Sequence, residues 1–253
     1  MLDVREPEHF LSRRLRLLQR DNCVPLISSD LDDTLVPFGA VIGDKELSAL
    51  TAYLETGAHI AFNTLAPKEW FYYRVMEPMT IRFHQTSRLH LLKQVHWIVS
   101  GGQEIFVYEH YHGSYRRTFF ADHGSKAEGL WHLLRHLPDG VALLAFYGDR
   151  FDDTENDGNA IGHDAIPLVI NVGADQQVGL STNKQVFLNT VEKGPSVTLR
   201  HLAFLTSALR DLLPHGISTK ESAFAESSEN RRRWRFERAN VRPGPPERPL
   251  KWK

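Results

Sequence analysis

The chain has 253 residues, 42% of them hydrophobic and 24% charged, with a formal net charge of -1. These values suit a globular chain long enough to bury a sizeable core, and the near-neutral balance selects neither nucleic acid nor membrane. Cys23 is the sole cysteine, which excludes an internal disulfide and a cysteine-based zinc site and makes a reducing cytoplasm the default setting.

In chain order, MLDVREPEHFLSRRLRLLQR is too charged for a signal peptide, and no apolar run approaches the length that spans a bilayer. Within a leading segment 1–22, Phe10, Leu11, Leu15, Leu17 and Leu18 fall at helical intervals among arginines, which predicts an amphipathic helix over residues 7–20. Cys23 to Ser29 reads as a short buried strand. GDKELSALTAYLETG predicts a helix with Asp44 as N-cap, Leu47, Leu50 and Leu54 on one face, and Gly57 as its stop. HIAFNT is a second strand, Pro67 opens a further helical stretch, SRLHLLKQV a short one, and HWIVSGG is a third strand closed by glycines. EIFVYEHYHGSYRRTFF alternates about Gly113-Ser114, a hairpin pattern over 104–120. A helix from about Ser125 to Leu137 leads through Pro138-Asp139-Gly140 to VALLAFYGD, an all-apolar strand of the kind buried on both faces. IPLVINVG and QVFLNT are further strands. Pro195 opens a last helix, SVTLRHLAFLTSALRDLL, ended by Pro214 and Gly216.

Strands alternating with helices predict an α/β fold over residues 23–216: a doubly wound, Rossmann-like parallel sheet with helices on both faces. The tail, 217–253, differs. From Arg231 onward it holds nine Lys/Arg against Glu237 and Glu247, a local charge of about +7 that leaves about -8 on the rest. It has Pro and Gly but no apolar period, and reads as mostly disordered.

In open parallel sheets, ligands gather at the carboxyl ends of the strands. The predicted strands end on Asp30, Thr64 and Asp149. LISSDLDDTL sets Asp30, Asp32 and Asp33 within four positions, where carboxylates repel and burying one unpaired costs several kcal/mol. YGDRFDDTENDGNAI adds Asp149, Asp152, Asp153, Asn156 and Asp157, and Lys126 opens the helix after the hairpin. All-oxygen donors of this kind suit Mg²⁺ beside a phosphate, with Lys126 as a second cation. Each residue alone has a plainer reading. Three aspartates after a strand are more often a solvated turn, Thr64 a strand-end hydroxyl, and Lys126 a surface lysine that the helix dipole slightly disfavours. DTENDGNAIGHD, Asp153 to Asp164, imitates a calcium loop, but its third and last positions and the preceding strand argue against one. His110, His112 and His123 on the hairpin tip read as solvent-facing, and His59 and His96 as packing or surface residues.

Together these residues resemble the haloacid dehalogenase-like (HAD) phosphohydrolase superfamily. Four motifs match in the family's order over roughly residues 24–172: Asp30-Leu31-Asp32-Asp33-Thr34, Thr64, Lys126, and Gly148-Asp149 through Asp157. The resemblance implies a nucleophile, Asp30, that takes the phosphoryl group as an aspartyl-phosphate. It implies that Asp32 is the acid and base, that Thr64 and Lys126 hold phosphoryl oxygens, and that Asp149, Asp30 and the backbone carbonyl of Asp32 bind Mg²⁺. Asp153 fits the commonest spacing for a further metal ligand, and Asn156 fits the longer phosphomannomutase-type loop. SGGQEIFVYE is similar to the segment that precedes a large cap in the subclass of sucrose-, trehalose- and mannosyl-phosphate phosphatases. Here the hairpin runs directly into Ser125-Lys126, in place of a cap domain. The implied activity is Mg²⁺-dependent phosphomonoester hydrolysis on a sugar phosphate, another metabolite or a larger phosphorylated molecule. Two alternatives stand beside it: phosphomannomutase-like phosphoryl transfer on a sugar phosphate, and a non-catalytic binding or scaffold protein on this fold. Arg231 to Arg235 with Trp234 is the segment by which the tail would meet nucleic acid or an acidic partner.

Overall fold

A computed structural model describes residues 7–109, 113–151, 157–173 and 185–212. Helix α1 (Pro7–Arg20) buries Leu11, Leu15 and Leu18, one stripe at helical spacing. Leu17, expected in that stripe, is exposed, since it falls about 100° off the buried line. Arg14 ties the helix to the sheet by donating to the Leu143 carbonyl from Nε and Nη2 (3.2 and 2.8 Å).

Strand β1 (Val24–Ser29), helix α2 (Asp44–Leu54) and strand β2 (His59–Asn63) follow. Gly43, not Asp44, occupies the N-cap of α2. The Glu46 carboxylate accepts the Gly43 N–H at 3.0 Å, and Asp44 becomes a first-turn acid that complements the helix dipole. Helix α3 (Lys68–Phe71), a π-helical turn (Tyr72–Met76) and helix α4 (Glu77–Gln85) run on without a break in helical backbone. A 3₁₀ turn (Leu89–Gln94) leads into β3 (Val95–Val99), and then come β4 (Glu104–Glu109) and β5 (Ser114–Phe120). Helix α5 (Lys126–His136), strand β6 (Val141–Gly148), a 3₁₀ turn (Asp157–Ala160), β7 (Leu168–Asn171), β8 (Val186–Asn189) and α6 (Pro195–Leu212) complete the described chain.

Eight strands form one sheet in the order β5-β4-β3-β2-β1-β6-β7-β8. Six of them, from β3 to β8 in that order, are parallel neighbours. The hairpin β4–β5 joins β3 antiparallel and so extends the sheet itself at one edge. Pro25 is tolerated in central β1 because the ladder to β2 begins only at Leu26, so the missing N–H falls where a partner is present on one side alone.

Side chains alternate between two cores, as a strand period of two requires. Ile27, Ile60, Phe62, Trp97 and Tyr147 face one core with α1, α2, α4 and α6. Leu26, Ala61, Ile98, Leu143 and Phe146 face the other with α5. Both faces are covered, which is why β6 reads as a continuous apolar run rather than an alternating one. No helix among the described residues is long and apolar enough to cross a membrane. Residues 213–253, including the basic tail, lie outside the described residues.

Candidate active site

The parallel strands all deliver their last residues to one edge. The Asp30 N–H donates to the Tyr147 carbonyl (2.9 Å), which carries the β1–β6 ladder one step past β1. The chain then folds into a tight turn whose apolar residues Leu31, Leu35 and Val36 are buried. Asp33 takes a left-handed conformation there (φ 54°), and its Oδ1 accepts the Phe38 N–H at 3.0 Å. The third aspartate is thus a turn residue, one of the few non-glycine types that tolerate such a backbone.

Asp30 is 5% exposed and its Oδ1 lies 2.8 Å from Lys126 Nζ. Lys126, buried at the first position of α5, makes a second contact of 2.8 Å to Asp157 Oδ1. Asp157 Oδ2 accepts the backbone N–H groups of Asp149 (3.0 Å) and Arg150 (3.1 Å). Gly148 makes room for this: a Cβ there would stand 2.4 Å from Asp157 Oδ2. Thr34 Oγ1 makes a long contact to Asp149 Oδ1 (3.4 Å).

Local chemistry explains how a lysine comes to lie at a helix start inside the protein. Ser125 caps α5 by accepting the Glu128 N–H (3.2 Å). Asn63, the last residue of β2, donates to the Lys126 carbonyl (2.9 Å), and Asn159 accepts the Ala127 N–H (2.9 Å). Two carboxylates beside the ammonium outweigh the unfavourable dipole.

Oxygen atoms of Asp30, Asp149 and Asp157 lie within 4.8 Å of one another. Burial pushes the Asp30 carboxyl up to about 7, against the pull of Lys126 and with help from Asp157. Burial and the neighbouring Asp157 push Asp149 up to about 6. Lys126 is held above its ordinary value, because Asp30 and Asp157 outweigh its burial. With all three ionised, three carboxylates and one ammonium leave two negative charges at a mostly buried site whose acceptors are all oxygens, a donor set that fits a divalent cation. Asp157 has both oxygens engaged by the protein. The Asp149 side chain, by contrast, shows among the described residues only its long contact to Thr34.

Asp32 behaves differently from the expectation that Lys126 and a metal neutralise the whole cluster. Its carboxylate is held by Arg74, with Nη2 2.6 Å from Oδ1 and Nη1 3.2 Å from Oδ2, and Oδ1 also accepts the Gly39 N–H (2.8 Å). Burial alone would raise this carboxyl; Arg74 and Gly39 overcome it and hold it below the usual range. Sequence reasoning missed Arg74. No local pattern marks it, because its partner lies 42 positions away in the chain.

Thr64 is buried at the end of β2, where its Oγ1 accepts the Ala66 N–H (3.1 Å) and its carbonyl accepts the Gly101 N–H (3.1 Å). The structure therefore brings Asp30, Lys126 and Asp149 together with Asp157, places Thr64 on the adjacent strand end, and turns the Asp32 side chain to Arg74. Asp153 and Asn156 lie outside the described residues, as do His110 and His112. His59 and His96 are packed in the sheet, Nδ1 to Nε2 at 3.0 Å.

No family model matches the chain, and no curated protein does. Among solved structures, it is similar to an N-terminally truncated, IMP-bound IMP-nucleotidase of Plasmodium falciparum. Identity is 14%, with 79% of this chain and 72% of that one covered, at a TM-score of 0.52. An IMP-bound point mutant of the same enzyme aligns at 13% identity over 77% of this chain and 70% of that one, with a TM-score of 0.50. The likeness is one of fold, an α/β sheet of the kind that the alternating strands and helices predict.

Proposed function

We propose that the chain is a Mg²⁺-dependent phosphomonoester hydrolase that works through an aspartyl-phosphate on Asp30. The observation that carries this reading is the 2.8 Å contact of Asp30 with Lys126, beside the carboxylates of Asp149 and Asp157.

In this reading a carboxylate oxygen of Asp30 attacks phosphorus and the bond to the leaving oxygen breaks. Lys126 and the Thr64 hydroxyl hold non-bridging oxygens, where fixed positive charge and donors act on developing charge. Asp32, which Arg74 holds ionised, takes up the proton of the substrate's phosphate monoanion and gives it to the leaving oxygen. It then accepts one from the water that hydrolyses the acyl phosphate and returns it to the released inorganic phosphate, which regenerates Asp30. Asp30, Asp149 and the backbone carbonyl of Asp32 would hold Mg²⁺, with Asp153 or Asn156 as a further ligand. Bound there, it supplies charge neutralisation for the phosphoryl oxygens. Asp157 holds Lys126 and the Asp149 backbone in place. The lone Cys23 favours a reducing cytoplasm as the setting.

The substrate is a phosphorylated molecule that reaches a site without a separate cap domain. Nucleoside monophosphates belong in the test panel because an IMP-nucleotidase shares the fold; sugar phosphates and phosphopeptides complete it. Release of inorganic phosphate with Mg²⁺ is measured for each. Asp30→Asn and excess EDTA are each expected to lower turnover at least ~10³-fold; turnover that survives both removes the mechanism.

A further inference from the structure

Arg74 belongs to none of the motifs in the sequence, yet it is only 8% exposed and lies within the π-helical turn that joins α3 to α4. Its three donor contacts are the two to Asp32 and one from Nε to the Ala40 carbonyl (2.9 Å). Its own carbonyl accepts the Ile42 N–H (2.9 Å). One residue thus fastens the segment after β1 to the helix at three points.

A buried guanidinium loses its water and persists only where its donors are met. Stitching the segment would need no more than the backbone bonds to Ala40 and Ile42. The two-pronged fork goes instead to the side chain two residues beyond Asp30. A fork on a carboxylate fixes the plane of the group as well as its position, which an ammonium cannot do. Single π turns inside longer helices recur at functional sites.

We propose that Arg74 is a positioning residue that fixes the carboxylate plane of Asp32, so that one group in one place serves first the leaving oxygen and then the attacking water. The inference rests on the reading of Asp32 as acid and base. Arg74 forms and breaks no bond in the reaction; its effect passes through Asp32.

The test uses leaving groups of different need. An alkoxide requires a proton as it departs, whereas p-nitrophenolate leaves unaided, so misplacing Asp32 penalises an alkyl phosphate far more than p-nitrophenyl phosphate. For Arg74→Met, kcat on the alkyl ester is expected to fall ~100-fold and on the nitrophenyl ester less than ~10-fold, with KM within ~3-fold for both. Arg74→Lys keeps the charge and the stem but not the fork. It should melt within a few degrees of wild type and show the same asymmetry at reduced size. Guanidinium added to Arg74→Ala should restore alkyl ester turnover preferentially. Equal losses on both esters, no loss, or a gain on the alkyl ester would overturn the proposal. Asp32→Asn separates the two levels: asymmetry in Asp32→Asn without it in the Arg74 variants overturns the positioning role alone. A wild type that hydrolyses neither ester, or an Asp30→Asn variant that still turns over, removes the hydrolase reading and the inference with it.

Discussion

Asp157 commits Oδ1 to the Lys126 ammonium and Oδ2 to two backbone N–H groups, and it is fully buried. A carboxylate so engaged has little direction left for a cation. Asp149, whose side chain shows only the long Thr34 contact among the described residues, keeps its capacity. The two acids should therefore fail in different ways. Asp149→Asn is expected to raise the Mg²⁺ concentration for half-maximal turnover by ~10–100-fold, while the metal-free protein melts near its original temperature. Asp157→Asn must set an amide against either Lys126 or two N–H donors, and should destabilise the metal-free fold by about 3 kcal/mol with the Mg²⁺ requirement within a few-fold. Mg²⁺ titration of turnover and thermal unfolding without metal separate the two; a matching shift in Mg²⁺ requirement would make Asp157 a ligand. The sequence named Asp157 within its acidic cluster but not its task, because the lysine it holds is 31 positions away. Arg74 was harder still. Its partner lies 42 positions upstream, and nothing local in EWFYYRVME marks one arginine as turned inward.

Helix α5 brings Lys126 to the strand ends only because it can lie almost on the backbone of the β3–β4 connection. Gly102 sits at φ +93°, and a Cβ on it would stand 2.0 Å from the Ser125 carbonyl oxygen. On the helix side, a Cβ on Gly129 would meet Ile98 Cγ2 at 2.6 Å and Gly102 Cα at 2.8 Å. Gly102→Ala therefore combines a disfavoured backbone with a collision against main chain, and should destabilise the fold by more than about 2 kcal/mol. It should also depress turnover even at temperatures where the protein stays folded, because the start of α5 carries Lys126. Thermal unfolding paired with turnover well below the transition checks this; full turnover on a merely weakened fold would detach the glycine from the site. At this scale much was readable. Alternating strands and helices follow from local periodicity, and the parallel order follows from chain connectivity, so the sheet and the strand ends bearing Asp30, Thr64 and Asp149 could be read in advance. The sequence marked HWIVSGG as a strand end but not why two glycines close it, since the requirement is set by a helix packed from 24 positions on. The hairpin was legible as a hairpin, whereas its antiparallel pairing with β3 depends on tertiary packing.

Taken across the whole molecule, two sets of buried ionisable groups respond to pH with opposite sign. Asp30 and Asp149 have folded values of about 7 and about 6, above the ordinary 3.8. The folded state therefore binds their protons more tightly than the unfolded chain. The stability this gives is fully present below 3.8 and is lost as pH rises through the folded values. His59 and His201, pushed by burial to about 4 from 6.5, act the other way: their contribution is complete above 6.5 and lost as pH falls through about 4. His96, also depressed by burial, reinforces them. The two sets offset one another in the metal-free protein, so its melting temperature alone is a poor reporter of the acidic cluster. A cation separates them. His59 and His96 lie at the amino ends of β2 and β3, away from the strand ends that carry the carboxylates, and a Mg²⁺ ion held by Asp30 and Asp149 would act only where protons leave them. The rise in melting temperature on adding Mg²⁺ should therefore be small near about pH 5 and grow by several degrees towards about pH 8. Asp149→Asn should flatten that growth while leaving the acid-side decline due to the histidines in place. Thermal unfolding with and without Mg²⁺ across this range is the measurement; a pH-independent increment, or one untouched by Asp149→Asn, would mean that the cation binds elsewhere than at the carboxylates.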